Sequence, residues 1–254
     1  MGMPVPTDTM TRGARWRRRG RRLLRSSIRI YVIVAIVLAL LQKQLIFVGH
    51  STQGRADCVV TPPPRTELVH LKAADGTPIA GLFGESLTSD PAASPTVLYF
   101  YGNAMCMNDG LNEFHLFRTL GANVMMVDYE GYGMSGGGAG EKGCYAAAEA
   151  AWNYVLTRGD VDRQALVPAG WSLGAAVAID LAARHAQDGH LAGLMTFCAF
   201  TSLPKLAQGY YPIFPVSLLL VYRFASIDKI GKVHVPTFMG HGRKDSIIPF
   251  AMRD

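Results

Sequence analysis

The sequence predicts an α/β fold, a mainly parallel twisted sheet with helices on both faces. Two observations predict it. From about residue 66 to residue 240, strand-like runs alternate with helix-like stretches, and strands separated by helices form βαβ units. The 254 residues are 49% hydrophobic and 17% charged, with 27 Gly and 14 Pro, which fits one globular domain and excludes a disordered, collagen-like or disulfide-dense chain.

The N-terminal part reads differently from that domain. Residues 1–29 hold nine arginines, at 12, 15, 17, 18, 19, 21, 22, 25 and 29, against Asp8 alone, a charge of +8. The other 225 residues hold 16 basic and 18 acidic side chains, a charge of −2, so the body has no general pull on nucleic acid. Residues 30–41 then run without a charge, and the apolar run resumes at 45–48. With Arg29 and Lys43 snorkelling to the two interfaces, residues 28–47 reach the about 20 residues that a membrane span needs. The reading is a signal-anchor helix over 28–47, with the arginines holding the N-terminus in the cytoplasm and the rest of the chain sent to the outer side. A cleaved signal peptide, of twin-arginine type through Arg21-Arg22-Leu23-Leu24, and a helix lying in the interface are the rival readings. Residues 48–65, ending in Thr61-Pro62-Pro63-Pro64-Arg65, read as a stiff linker before a domain over 66–254.

Within the domain, 67–72 and 77–83 form an opening hairpin across Asp75-Gly76, followed by a strand at 96–101, a helix around 108–120 and a strand at 123–128. An alanine-rich helix over about 141–158 leads to a strand at 165–170, a helix from 173 to about 185, and strands at 193–198 and 237–240. Residues 204–230 break the rhythm; their aromatic and proline content reads as a small lid or membrane-facing patch, or as plain cover for the sheet. Four cysteines, Cys58, Cys106, Cys144 and Cys198, lie 38 to 54 residues apart, without metal-ligand spacing; buried thiols are expected, with one or two disulfides as the alternative in an exported domain, and no metal or organic cofactor.

The most specific signal is Gly170-Trp171-Ser172-Leu173-Gly174, a G-x-S-x-G between a strand and an alanine-rich helix. That context presents a serine hydroxyl on a sharp turn at the sheet's carboxyl edge, where a helix N-terminus faces any developing anion. Two more stretches fall in matching order: Val97-Leu98-Tyr99-Phe100-Tyr101-Gly102-Asn103-Ala104, and Val127-Asp128-Tyr129-Glu130-Gly131-Tyr132-Gly133-Met134-Ser135-Gly136. The second also satisfies G-x-G-x-x-G, but further glycines prolong its loop and no helix opens at once, so tight turns explain it better than a dinucleotide site. A third stretch runs from Val235-Pro236-Thr237-Phe238-Met239-Gly240-His241 into Gly242-Arg243-Lys244-Asp245-Ser246-Ile247-Ile248-Pro249.

Together these stretches resemble the α/β-hydrolase superfamily, in particular its small membrane-anchored serine-hydrolase branch, over about residues 68–250. The resemblance implies Ser172 as nucleophile, Asp245 as the acid, and an oxyanion hole from the backbone N–H of Asn103 or Ala104 with that of Leu173. Tyr101 stands where the family has a structural histidine, and His241 matches another structural histidine before glycine. The substrate implied is a small-molecule or lipid ester, thioester or related acyl compound.

The family's catalytic histidine follows the acid after a further helix and strand. The sequence reaches Asp254, nine residues past Asp245, and none of His50, His70, His115, His185, His190, His234 or His241 falls in that place. The expectation is therefore a fragment or truncated product of a longer hydrolase, nearly inactive in this form, with strand 237–240 left as a sheet edge. A non-catalytic hydrolase-like scaffold or binding module held at the membrane is the alternative.

Overall fold

The computed structural model describes residues 12–252; the first eleven residues of the basic segment, Asp8 among them, lie outside the described residues. The chain divides into two units, with the break between Gln42 and Lys43. Helix α1 (Arg12–Ile46) is 35 residues long; its residues 12–42 belong to the first unit and 43–46 to the second. It starts well before residue 28 because arginine and leucine are good helix formers and no proline interrupts them. The stretch Arg15–Ile46, with a window of mean hydropathy 2.1, is long and apolar enough to cross a membrane by length and composition.

In the second unit, Phe47 is not a membrane-facing residue at the end of the apolar run. It is fully buried, with its ring edge-on to Tyr222 at 4.8 Å and 6.0 Å from Phe224. Nor is 48–65 a free linker: Thr52, Cys58 and Val60 are buried. The segment is stitched to the loop after Asp128, Gly54 N–H donating to Gly133 O (2.9 Å) and Gly133 N–H to Thr52 Oγ1 (3.0 Å). Asn108 Nδ2 reaches back to Asp57 O at 3.0 Å. Polar groups that a proline-rich sequence leaves without local partners find them more than 50 residues away.

Strands β1 (Thr66–Lys72) and β2 (Pro78–Gly84) form the antiparallel hairpin, turned where Thr77 N–H donates to Asp75 Oδ1 at 2.9 Å. Then follow β3 (Thr96–Phe100), α2 (Leu111–Thr119), β4 (Asn123–Val127), α3 (Glu141–Thr157), β5 (Leu166–Trp171), α4 (Leu173–Arg184) and β6 (Leu194–Phe197). After β6 come α5 (Leu203–Tyr210), α6 (Val216–Leu219) and α7 (Ile227–Ile230), and β7 (Thr237–Gly240) closes the series. The sheet runs β1-β2-β4-β3-β5-β6-β7, parallel from β4 to β7.

The core lies where α3 and α4 cover the central strands. Strands β3 and β4 are buried throughout, and α4 buries ten of its residues, Leu173 to Ala182, because its alanines let the backbone lie close to the sheet. Among the described residues β7 pairs on one side only, with β6, and Phe238 and Met239 on it are exposed. Chain order reverses between β3 and β5, which opens a crevice at their carboxyl ends, the place where open α/β sheets bind ligands.

Candidate active site

Ser172 sits in that crevice, directly after β5 and at the N-cap of α4. Its backbone, φ 56° and ψ −113°, is left-handed, a conformation that costs a non-glycine residue about 1–3 kcal/mol. An N-cap serine ordinarily turns its hydroxyl back onto the first helical N–H groups. Here the backbone turns it away: the side chain makes no cap hydrogen bond and the residue is half-buried. Ser172 N–H donating to Phe197 O (2.9 Å) and Ala175 N–H donating to Ser172 O (3.0 Å) hold the turn.

The flanking glycines are required by space. A β-carbon on Gly170 would lie 2.0 Å from Gly174 O, and one on Gly174 would lie 1.9 Å from Phe100 O. Strand, turn and helix are pressed together at a separation that only hydrogen side chains allow.

Register brings the second loop to the same place. Phe100 pairs with Gly170, so the loop after β3 starts beside the elbow, and a β-carbon on Gly102 would lie 3.8 Å from Ser172 Cβ. Of the expected donors, the Leu173 N–H is at the first position of α4, where no intrahelical acceptor exists. The Ala104 N–H, at φ +64°, is taken by the Asn103 side chain at 2.9 Å. Asn103 Oδ1 also accepts from the Tyr132 hydroxyl (3.0 Å), and its Nδ2 donates to Ile46 O. Asn103's own N–H has no hydrogen bond among the described residues.

Beneath this loop lies a buried network in which Tyr101 replaces the expected histidine. Its hydroxyl donates to Asp128 Oδ1 at 2.8 Å, and Asp128 also accepts the N–H of Met107 and of Met134, each at 2.7 Å. Burial raises the Asp128 carboxyl above its ordinary value, against the pull of those donors. Gly133, at φ +46°, curls around this carboxylate, and its β-carbon would lie 2.2 Å from Asp128 Oδ2. The glycines of this motif thus serve a turn that pins two loops together.

Asp245 lies in the loop after β7, two strands across from β5. Its Oδ1 accepts from Ile247 N–H (2.9 Å) and Ile248 N–H (2.8 Å). Burial alone would raise this carboxyl, but the Ile248 and Ile247 N–H groups, the Cys198 thiol and His241 outweigh it and hold it below the usual range. Its folded value lies under its unfolded one, so its stabilising contribution is present above about pH 4 and is lost as pH falls through the folded value. The difference in melting temperature between the native chain and Asp245→Asn is expected to shrink as pH is lowered from neutrality into that range, followed by circular dichroism in detergent.

Two neighbours of Asp245 escaped the sequence reading. Trp171, Phe197 and Gly240 are in register across β5, β6 and β7, so the residues that follow, Ser172, Cys198 and His241, leave the sheet side by side. Polar side-chain atoms of Cys198, His241 and Asp245 lie within 4.8 Å of one another. Burial is the largest influence on the Cys198 thiol and pushes it up, so it remains protonated. His241 is almost fully buried; its Nε2 lies 2.9 Å from Ile248 O and 3.8 Å from Asp245 Oδ2. No histidine hydrogen-bonds to the Ser172 hydroxyl among the described residues. All four cysteines are free thiols, three of them buried.

No family model matches the chain. It is 30% identical over 213 residues to an uncharacterized protein of Mycobacterium tuberculosis, covering 84% of this chain and 73% of that one. It is 30% identical over 234 residues to Protein bem46 of Schizosaccharomyces pombe, covering 88% and 76%. With alpha/beta hydrolase domain-containing protein 17C of Xenopus tropicalis it shares 33% identity over 165 residues, 63% of this chain and 50% of that one. Among solved structures, an alpha-beta hydrolase from Vibrio vulnificus superposes with a TM-score of 0.58 at 21% identity, over 69% of this chain and 63% of that one. An esterase from Pyrococcus furiosus does so with a TM-score of 0.56 at 17% identity, over 76% and 78%. Strand order, crevice, serine turn and these relatives agree, and the chain belongs to the α/β-hydrolase superfamily.

Proposed function

We propose that this chain is a serine hydrolase that cleaves an ester, thioester or related acyl bond through an acyl-enzyme on Ser172. The observation that carries the reading is a strained serine whose hydroxyl is withheld from capping its own helix and stands at the sheet's switch point. Ser172 Oγ attacks the acyl carbonyl and its proton passes to water; the oxyanion is received by the N–H groups of Leu173 and Asn103 at the positive end of α4, and its collapse breaks the acyl–oxygen or acyl–sulfur bond, releasing the alcohol or thiol and leaving the acyl group on Ser172. Asn103 is preferred to Ala104 because the Ala104 N–H is already engaged. Asp245, held ionised by its N–H donors, is the acid that would orient and stabilise the imidazole the family uses as base. Water then releases the acid product and frees Ser172.

No histidine among the described residues assists Ser172, so attack and release by these residues alone are expected to be slow. With p-nitrophenyl butyrate and the full chain in detergent, p-nitrophenol release is expected to approach one equivalent per chain and then nearly stop. Release no greater than that of Ser172→Ala would contradict the reading.

Helix α1 is the proposed anchor, with its arginine-rich end on the cytoplasmic side and the hydrolase unit on the other. An uncharged run between residues 30 and 41, bounded by Arg29 and Lys43, supports this reading.

A further inference from the structure

Two of the four thiols lie together in the second unit. Cys58 ends a short 3-10 turn (Ala56–Cys58) in segment 48–65, and Cys106 caps another (Met107–Gly110) just past the loop that follows β3. They are 48 residues apart in sequence, yet the Cys58 side chain is a hydrogen-bond neighbour of the Cys106 thiol, and the Arg55 guanidinium is within electrostatic reach of both sulfurs. Close by, Asn108 Nδ2 donates to Asp57 O at 3.0 Å. Both cysteines are buried and both are free thiols.

Each is held in place from its own side. Cys58 lies between two points where its segment is fastened to the loop after Asp128, Gly54 N–H on Gly133 O and Val60 N–H on Met134 Sδ, the latter at 3.4 Å. Cys106 is fixed by Asp109, whose Oδ2 accepts from the Cys106 N–H at 2.9 Å and from its thiol at 3.4 Å. The next residue, Met107, gives its N–H to Asp128. Two thiols brought together by separately anchored backbones need little motion to be joined, and the motion required is what ordinarily forbids a disulfide. The other two cysteines stand elsewhere, Cys144 on the buried face of α3 and Cys198 beside Asp245.

We propose that Cys58 and Cys106 are a disulfide site, closed by exchange with a disulfide oxidant, and that the bond ties segment 48–65 to the loop carrying Asn103 and Ala104. The Cys58 sulfur, as thiolate, attacks the oxidant's S–S bond and expels one thiolate; the Cys106 sulfur then attacks Cys58 in the mixed disulfide and expels the second. The protein gives up two electrons and two protons, and the oxidant leaves as two thiols. Burial, the Cys58 thiol and the Asp109 carboxylate push the Cys106 thiol up, which makes Cys106 the second sulfur to react, and Asp109 Oδ2 is placed to take its proton. Asp57 and Val59, on either side of Cys58, are exposed, so a small oxidant meets Cys58 by opening that turn alone. Asn103 and Ala104 precede Cys106 by three and two residues, so the bond stiffens the loop proposed to receive the oxyanion. Disulfides persist in oxidising compartments, which suits the outer side to which the proposed topology sends this unit.

The test equilibrates the full chain in detergent with glutathione and glutathione disulfide, traps free thiols with N-ethylmaleimide in denaturant, and maps the peptides without reduction. The expected result is a peptide holding Cys58 joined to one holding Cys106, with Cys144 and Cys198 outside that link. Closing a loop of this length should raise the midpoint of thermal unfolding by about 5–10 °C over the chain reduced with a phosphine, a difference absent from Cys58→Ala and from Cys106→Ala. Cys58 and Cys106 both alkylated at an oxidising equilibrium, or either one linked to Cys144 or Cys198 instead, would overturn the proposal. None of these readouts involves hydrolysis, so the outcome stands apart from the role of Ser172.

Discussion

Gly174→Ala is expected to destabilise the chain by about 4 kcal/mol, among the largest effects a single methyl group can have. The new β-carbon would meet Phe100 O at 1.9 Å, Phe100 C at 2.5 Å and Tyr101 O at 2.6 Å. All three atoms are backbone, so no rotamer change relieves the overlap; either α4 lifts from the sheet or the loop after β3 shifts. For a domain whose whole stability is about 5–15 kcal/mol, that is a large share. Thermal unfolding of the full chain in detergent, followed by circular dichroism, should show a midpoint lower by about 10 °C. Gly209→Ala in α5, where a β-carbon meets nothing within 4 Å, is the control and should leave the midpoint unchanged or slightly raised.

The second large effect separates stability from chemistry. Ser172→Ala is expected to remove the one-equivalent release of p-nitrophenol from p-nitrophenyl butyrate, with little change in stability. Ser172→Gly should be equally inactive yet more stable by about 1 kcal/mol, since glycine adopts φ 56° without the strain that serine bears. A serine there for structure alone would gain nothing from its strained backbone. A Ser172→Gly chain that is less stable than Ser172→Ala would count against strain held for function.

What the sequence could reveal followed from how local each feature is. The elbow was legible because a buried strand, two small residues and an alanine-rich helix are contiguous, and the β1–β2 hairpin because Asp75-Gly76 carries its own turn chemistry. Segment 48–65 was misread because its partners, Gly133 and Asn108 among them, are remote in sequence; three prolines suggested stiffness, and nothing local disclosed the surface they cross. Phe47 read as the end of an apolar run for the same reason, since its partners Tyr222 and Phe224 are far along the chain. Cys198 and His241 were invisible as neighbours of Asp245 until the register of β5, β6 and β7 set three strand ends in one row. The choice between Asn103 and Ala104 needed the side-chain hydrogen bond that occupies one of them.

The asparagine also ties the start of the second unit to the loop after β3. Its Nδ2 holds the carbonyl of Ile46, the last residue of α1, while its Oδ1 caps Ala104 and accepts from Tyr132. The loop proposed to receive the oxyanion is therefore braced by Ile46 within the second unit, and Tyr222 packs on the adjacent Phe47.

The central claim, that Ser172 is the nucleophile, is tested most directly by the site of covalent capture. The full chain in detergent is exposed to a fluorophosphonate, and the adduct is located by peptide mass spectrometry. A single slow-forming adduct on Ser172, absent from folded Ser172→Ala, is the expected result. An adduct on another residue, or none after prolonged exposure of the folded chain, would contradict it.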